Sequence, residues 1–257
     1  MKKNLLIIIH LLVCANVFAG NDRNLKLMTF NLRFGELASM QDFADAINSE
    51  SPDIVALQEC DWATYRERAP RQHGVKFLNE LAYRTGMFGL YGKAIDYRQG
   101  FYGVSILSKY PIVRSERIFL PHEPGTEQRI LLVADIELPD GEIITFACTH
   151  LEVSSSECRL QQAKFIQKKL KDRKTCFLAG DMNAASESPE MVYLGRYWKN
   201  LTPDILTHSV KNLSRHLDYI FAKPAKKVEL ISTGIMPDVK LSDHYPVVSE
   251  IVLKGSK

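Results

Sequence analysis

The sequence predicts a single-domain α/β fold in which two β-sheets pack face to face with helices on their outer sides, four layers in all. Three observations point there. Segments with strand character outnumber helical ones, many of these strands are apolar on both faces, and neither a low-complexity linker nor an internal repeat divides the chain. A strand that is apolar on both faces needs cover on each side, which a second sheet and a helical layer supply. The composition agrees: 257 residues, 46% hydrophobic and 25% charged, describe an ordinary globular protein. Such a chain can bury a core without disulfide staples. A disordered tail, a collagen-like fibre and a polytopic membrane protein are excluded. The formal net charge of +3 is too small for a protein that coats nucleic acid, which needs a clear cationic excess or a clustered basic face.

The first element is a leader. Lys2 and Lys3 form a basic start, Leu5 to Val13 is an apolar run broken by His10, and Val17-Phe18-Ala19 offers aliphatic and small residues before Gly20. This is the pattern of a signal peptide over residues 1–19, leaving 20–257 as one exported domain, periplasmic or secreted. The run is short for a membrane span, so no stable membrane insertion is expected. Lipid attachment at Cys14 is a weaker alternative, because Val13 is a poor residue before a lipidated cysteine. Cleavage after Ala19 would remove two lysines and no acid, so part of the positive charge belongs to the leader.

The remaining elements follow in order. Leu25 to Asn31 reads as a strand. Ser39 caps a helix, with Asp42 three residues on as a capping box and Met40, Phe43, Ala44 and Ile47 at helical spacing. Pro52 stops that segment, Ile54 to Leu57 is a buried strand, and Asp61 to Gly74 is a polar loop. A helix with Val75, Leu78, Leu81 and Ala82 ends at Gly86. Strands are expected at Tyr102–Leu107, Ile112–Leu120, Ile130–Leu138 and Ile143–Thr149, the last two joined through Pro139-Asp140-Gly141. Arg159 to Leu170 is an amphipathic helix, Cys176 to Ala179 a short buried strand, and further strands fall near Leu217–Phe221, Val228–Thr233 and Val247–Leu253. Cys60, Cys148, Cys158 and Cys176 remain after leader removal. Export would allow disulfides, but no spacing suggests zinc, and buried free thiols suit the apolar runs around Cys148 and Cys176.

The chemistry gathers where apolar runs end. Asn31 closes one run, Glu59 another, His150 a third, and Asp181-Met182-Asn183 a fourth. Asp218 opens a strand, and Asp243-His244 precedes the last one. Singly these are ordinary turn or solvated residues. Together they form an oxygen-rich set with two histidines, suited to a hard divalent cation, Mg²⁺, Mn²⁺ or Ca²⁺, and to attack of water on phosphorus.

At these residues the chain resembles the endonuclease/exonuclease/phosphatase superfamily, whose members include DNase I. The matching stretches are Thr29-Phe30-Asn31-Leu32-Arg33, Leu57-Gln58-Glu59, Tyr102 to Ile112, Thr149-His150-Leu151, Gly180-Asp181-Met182-Asn183, Leu217-Asp218-Tyr219 and Ser242-Asp243-His244-Tyr245-Pro246. The resemblance runs from Leu25 to the end and implies a DNase I-like two-sheet α/β sandwich and a metal-dependent phosphohydrolase. It implies Asn31, Glu59 and Asp243 on the metal side and Asp181 as the residue that positions or deprotonates water. It further implies Asn183 as an orienting amide, His244 held by Asp218 at the reacting phosphate, and His150 against the phosphate or leaving group.

Arg129 and the loop arginines Arg66, Arg68 and Arg71 are candidates for binding an anionic phosphoester, guanidinium being suited to phosphate. Trp198, Arg159 and Gln162 read as structural. The inositol 5-phosphatase and abasic-endonuclease subclasses are disfavoured at Arg215-His216-Leu217-Asp218-Tyr219 and His150-Leu151-Glu152 respectively. A phosphodiester is the expected substrate, whether nucleic acid, phospholipid head group or small molecule, and the protein is expected to be a monomer. A phosphomonoesterase acting on a sugar or inositol phosphate is the alternative enzyme, and a non-catalytic binding protein the alternative of another class, because loops decide substrate on a shared fold.

Overall fold

The computed structural model describes residues 22–255; the leader, its cleavage position and Cys14 lie outside them. The elements are β1 (Arg23–Asn31), α1 (Met40–Glu50), β2 (Ile54–Trp62), α2 (Phe77–Thr85), β3 (Phe88–Tyr97), β4 (Gly100–Ser108), β5 (Ile112–Phe119), β6 (Ile130–Glu137), β7 (Ile143–His150), α3 (Ser156–Leu170), β8 (Cys176–Asp181), α4 (Pro189–Gly195), β9 (Lys199–Asn200), β10 (Asp218–Lys223), β11 (Val228–Ile235) and β12 (Val247–Leu253). They form two six-stranded sheets, β11-β12-β1-β2-β4-β3 and β5-β6-β7-β8-β10-β9.

Side-chain alternation sorts the core into three layers. Leu27, Ile54, Ala56 and Ile106 of the first sheet meet Ile130, Leu132, Phe146, Phe177, Ala179 and Ile220 of the second in an inter-sheet core. The intervening residues face outward. Met28, Phe30, Val55 and Leu57 pack against Phe43 and Ile47 of α1 and Leu78 and Leu81 of α2. Leu131, Val133, Ala147 and Leu178 pack against Ala163, Ile166 and Leu170 of α3 and Leu194 of α4. The strands are therefore apolar on both faces because each sheet is covered twice. This is the four-layer sandwich that the sequence predicts.

Local signals hold where they are strong. Ser39 and Asp42 form a reciprocal capping box on α1, and Ser155 accepts from Cys158 N at the start of α3. Three readings are corrected. Strand β2 continues to Trp62, so the polar loop begins at Ala63, and Asp61 is a buried strand residue. Strand β3 is unmarked in the sequence because it is a sheet edge whose residues are mostly part-exposed and whose apolar pattern is broken by Gly89 and Gly92. Gly92 is needed there, since a Cβ would stand 2.7 Å from Ile130 Cδ1 of the facing sheet. Helix α4 is unmarked because its seven residues are too few to display a period.

The four cysteines among the described residues are free and buried. Burial pushes the thiols of Cys148 and Cys176 up to about 12, the behaviour of inert core residues. Among the described residues no helix is long and apolar enough to cross a membrane.

Candidate active site

Strand direction gathers the polar ends. Strands β1 and β2 are parallel, as are β7 and β8, so their C-terminal ends share one edge of the sandwich. Strand β10 runs antiparallel to β8, and β12 antiparallel to β1, so the starts of β10 and β12 lie at the same edge. Register makes the meeting specific: His150 is opposite Asp181, and Asp181 is opposite Asp218. Parity then aims the side chains. Phe146 and Cys148 of β7, Phe177 and Ala179 of β8, and Ile220 of β10 are inter-sheet core residues. His150, Asp181 and Asp218 continue the same alternation one step past the apolar layer. Asn31 does so on β1, two positions after Thr29 and four after Leu27. The candidate site is thus the polar rim of the inter-sheet core.

Glu59 breaks this rule. Leu57 and Cys60 both belong to the outer core, although three positions separate them. The pairing of β2 with β4 shifts between these residues, and Glu59 has φ 54°. An extra residue in a strand re-aims its neighbours, and here it turns Glu59 away from the helices to meet Asn31. Asn183, just past β8, also has positive φ, 49°. Backbone strain at two candidate residues is of the kind that concentrates at functional sites.

The contacts converge on one atom. Asp181 Oδ2 accepts from Asn31 Nδ2 at 3.1 Å, and lies 3.5 Å from His150 Nε2 and 3.7 Å from His244 Nε2. Its other oxygen accepts from the Asn183 backbone N–H at 2.8 Å. Asn31 Nδ2 also reaches Glu59 Oε1 at 3.2 Å, and Asn31 Oδ1 accepts from Arg33 N at 2.9 Å. His244 Nδ1 is 2.8 Å from Asp218 Oδ2, which also accepts from Thr207 Oγ1 at 2.6 Å. The Asp218 partner fixes Nδ1–H as a donor and leaves Nε2 toward Asp181.

Burial and charge split the two histidines. His150 is held well below its ordinary value by burial, with Arg129 and His244 adding repulsion. His244 is also penalised by burial, yet Asp218, Asp181 and Asp243 together raise it to about 10. At neutral pH one imidazole is therefore neutral and the other charged. Burial and the Asp218 charge raise Asp181, partly offset by His244. Burial raises Glu59 to about 7, with Asp181 and Asp243 adding to it against Asn31 and His244. Asp243 is held at about 2: burial opposes this, but its His208 hydrogen bond, His244 and Arg33 outweigh it. Glu59, Asn31 and Asp243 supply oxygen donors, and among the described residues Glu59 takes its hydrogen bond from Asn31 and pairs with no cationic side chain. That donor set suits a hard divalent cation. Two further groups, Asp181-Asp218-His244 and His208-Asp243-His244, each bring three ligand atoms within 4.8 Å of one another.

The candidate arginines separate. Arg129 is buried, with Nη1 2.9 Å from Glu127 Oε1, and its Nε has no hydrogen-bond partner among the described residues. Arg66 is committed to structure. It pairs with buried Asp61 through Nε and Nη2, both at 3.0 Å, and stacks over Phe34 and Tyr97. Arg68 pairs with Glu36 at 2.8 Å, and Arg71 is exposed. Trp198 is buried, donating to Gln167 Oε1 at 2.7 Å, and Arg159 pairs with Glu190, so both are packing residues. Sequence reasoning missed Thr207, His208 and Arg33. Thr207 and His208 sit in an irregular loop with no periodicity; Arg33 pairs with Asp243 across more than two hundred residues.

A model of the endonuclease/exonuclease/phosphatase family matches residues 28–244. The chain is 28% identical over 247 residues to YbhP of Escherichia coli K12, covering 89% of this chain and 96% of that protein. It superposes on an endonuclease/exonuclease/phosphatase from Bacteroides vulgatus with a TM-score of 0.72 at 19% identity, covering 90% of this chain and all of the other. A mannosyl-6-phosphatase from Bacteroides thetaiotaomicron gives 0.73 at 16% identity, over 89% of this chain and 100% of that one.

Proposed function

The chain belongs to the endonuclease/exonuclease/phosphatase family of phosphoesterases, and from that membership we propose that it hydrolyses a phosphodiester with the help of a divalent cation. The observation that carries this reading is the convergence of Asn31, His150 and His244 on Asp181 Oδ2. A carboxylate oxygen so surrounded, on a group whose pKa burial raises, can hold a water and take its proton. Charged His244, oriented by Asp218 at Nδ1, donates through Nε2 to a phosphoryl oxygen as negative charge grows there. Neutral His150 can donate a hydrogen bond without adding charge, and Arg129 offers a buried cation to the phosphate. Asn183 fixes Asp181 through its backbone N–H. Glu59, Asn31 and Asp243 would hold Mg²⁺ or Mn²⁺, which supplies charge neutralisation to the phosphoryl group.

The preference for a diester rests on the stretches Phe30-Asn31-Leu32-Arg33 and Ser242-Asp243-His244-Tyr245-Pro246, which resemble those of DNase I. The basic, apolar and small-residue pattern of residues 1–19 supports export, and a purified native protein beginning at Gly20 would bear this out.

The test uses purified protein with a chromogenic phosphodiester and the matching monoester. We expect chelator to abolish turnover, Mg²⁺ or Mn²⁺ to restore it, and the diester to be preferred. Full activity in chelator would remove the metal from the reaction, and no turnover of either ester would favour a binding protein. His244→Ala should lower kcat by about 10²–10⁴. Adding Asp218→Asn should cost little more, since paired groups are not additive.

A further inference from the structure

Beside the reaction centre, loops near Arg33, His208 and Lys240 enclose a cavity of about 470 Å³, the size of a small-ligand site. Its inner wall is shared with the centre. Asp243 lines it and immediately precedes His244, and the His208 ring packs 4.6 Å from the His244 ring. Its outer wall carries Lys211 and Lys240, both exposed. Arg33 also lines it but is engaged by Glu36 and Asp243. Among the described residues no acidic side chain pairs with Lys211 or Lys240. Leu37 and Val210 add apolar wall. The cavity therefore combines one carboxylate already matched by Arg33, two ammonium groups with no acidic partner among the described residues, and an apolar surface. The reaction centre itself is rich in carboxylates and is a poor place for extra negative charge. A substrate with more than one anionic group needs cations set to one side of the reacting phosphate, and these two lysines stand there.

We propose that this cavity is a specificity site that receives the portion of the substrate attached to the reacting phosphate, and that Lys211 and Lys240 select substrates in which that portion bears a second phosphate group. This rests on the phosphoesterase reading above and narrows its substrate class. The second phosphate has two sources, a neighbouring nucleotide or a phosphorylated sugar, and the chemistry at the lysines is the same for both.

The experiment measures kcat/KM in Mg²⁺ on two matched pairs: a dinucleotide with and without a terminal phosphate, and a sugar phosphodiester with and without a second phosphate. The unaltered protein should prefer the member with the extra phosphate on the order of tenfold in at least one pair, the sum of two exposed charge contacts. The pair that shows the preference identifies the source. In Lys211→Ala/Lys240→Ala the ratio should fall to near one, and in Lys211→Glu/Lys240→Glu it should invert. Both sites are exposed, so circular dichroism should show an unchanged fold. Equal rates within both pairs, or a preference that survives both variants, overturns the specificity site. Failure to turn over any of the four compounds overturns the phosphoesterase reading instead.

Discussion

Glu59 shows how much of the site is decided by single residues. Its carboxyl sits at about 7 because burial and neighbouring acids disfavour its charge. An acid whose folded pKa is raised binds more protons in the folded state, so stability falls as pH rises from its ordinary 4.5 through about 7. The metal-free protein should therefore melt lower at pH 8 than this group alone would allow at pH 5. Glu59→Gln should melt above the parent at pH 8 in chelator. Mg²⁺ should reverse the order: a ligand at a hundred times its Kd adds about 2.7 kcal/mol, and only the parent keeps the carboxylate to bind it. Thermal melts of both proteins at both pH values, with chelator and with Mg²⁺, check this; a variant that melts lower in chelator at pH 8 would sink it. The same local scale explains the loop arginines. Their clustering in sequence points to a shared anionic ligand, whereas Arg66 is held by Asp61, a residue of β2 and not of the loop.

At the scale of elements, the pairing of β7 with β8 sets the register of His150 and Asp181 in the candidate site. Gly180 has φ 147°, and a Cβ there would stand 1.9 Å from Thr149 O on the neighbouring strand. No rotamer relieves a clash with backbone, so Gly180→Ala must push the two strands apart beside both His150 and Asp181. We expect a loss of more than about 3 kcal/mol, in the range reserved for a specific structural conflict, and a fall in kcat among molecules that still fold. Gly141 also has positive φ but open space around it, so Gly141→Ala should cost about 1 kcal/mol and leave turnover alone. Chemical denaturation and initial rates on both variants separate the outcomes. Equal costs would mean that the β7–β8 contact has slack.

On the scale of the whole molecule, the site exists only while the sheets hold together. Asn31 and Glu59 come from one sheet, and His150, Asp181 and Asp218 from the other. Phe146 fills the core between the sheets, and Phe43 fills the layer beneath α1; both are fully buried. Truncating either to Ala should cost about 3–5 kcal/mol. Their effects on catalysis should differ. Phe146→Ala loosens the spacing between the two half-sites, and a displacement of about 1 Å can cost 10²-fold in rate. Phe43→Ala leaves that spacing intact and should hold kcat within about threefold. Rates taken at a temperature where both variants are folded decide the matter, and equal losses would mean that the sheets do not act as separate halves.

The sequence by itself determined the strands, the order of the polar clusters and their residue types. Apolar runs ending in Asn31, His150 and Asp181 are local facts, and a strand buried on both faces announces a covered sheet. Seven short motifs in one order identified the family for the same reason, since each is a strand end and strand ends are legible. Tertiary structure alone decided which ends meet. His150, Asp181 and Asp218 adjoin because β7 and β8 are parallel and β10 is antiparallel, and strand direction leaves no mark on composition. It also decided the aim of Glu59, which depends on one extra residue in β2, and the opposite charge states of His150 and His244. Those states come from burial and from acids and an arginine brought together from distant segments, and a pKa is set by neighbours in space and not by neighbours in the chain.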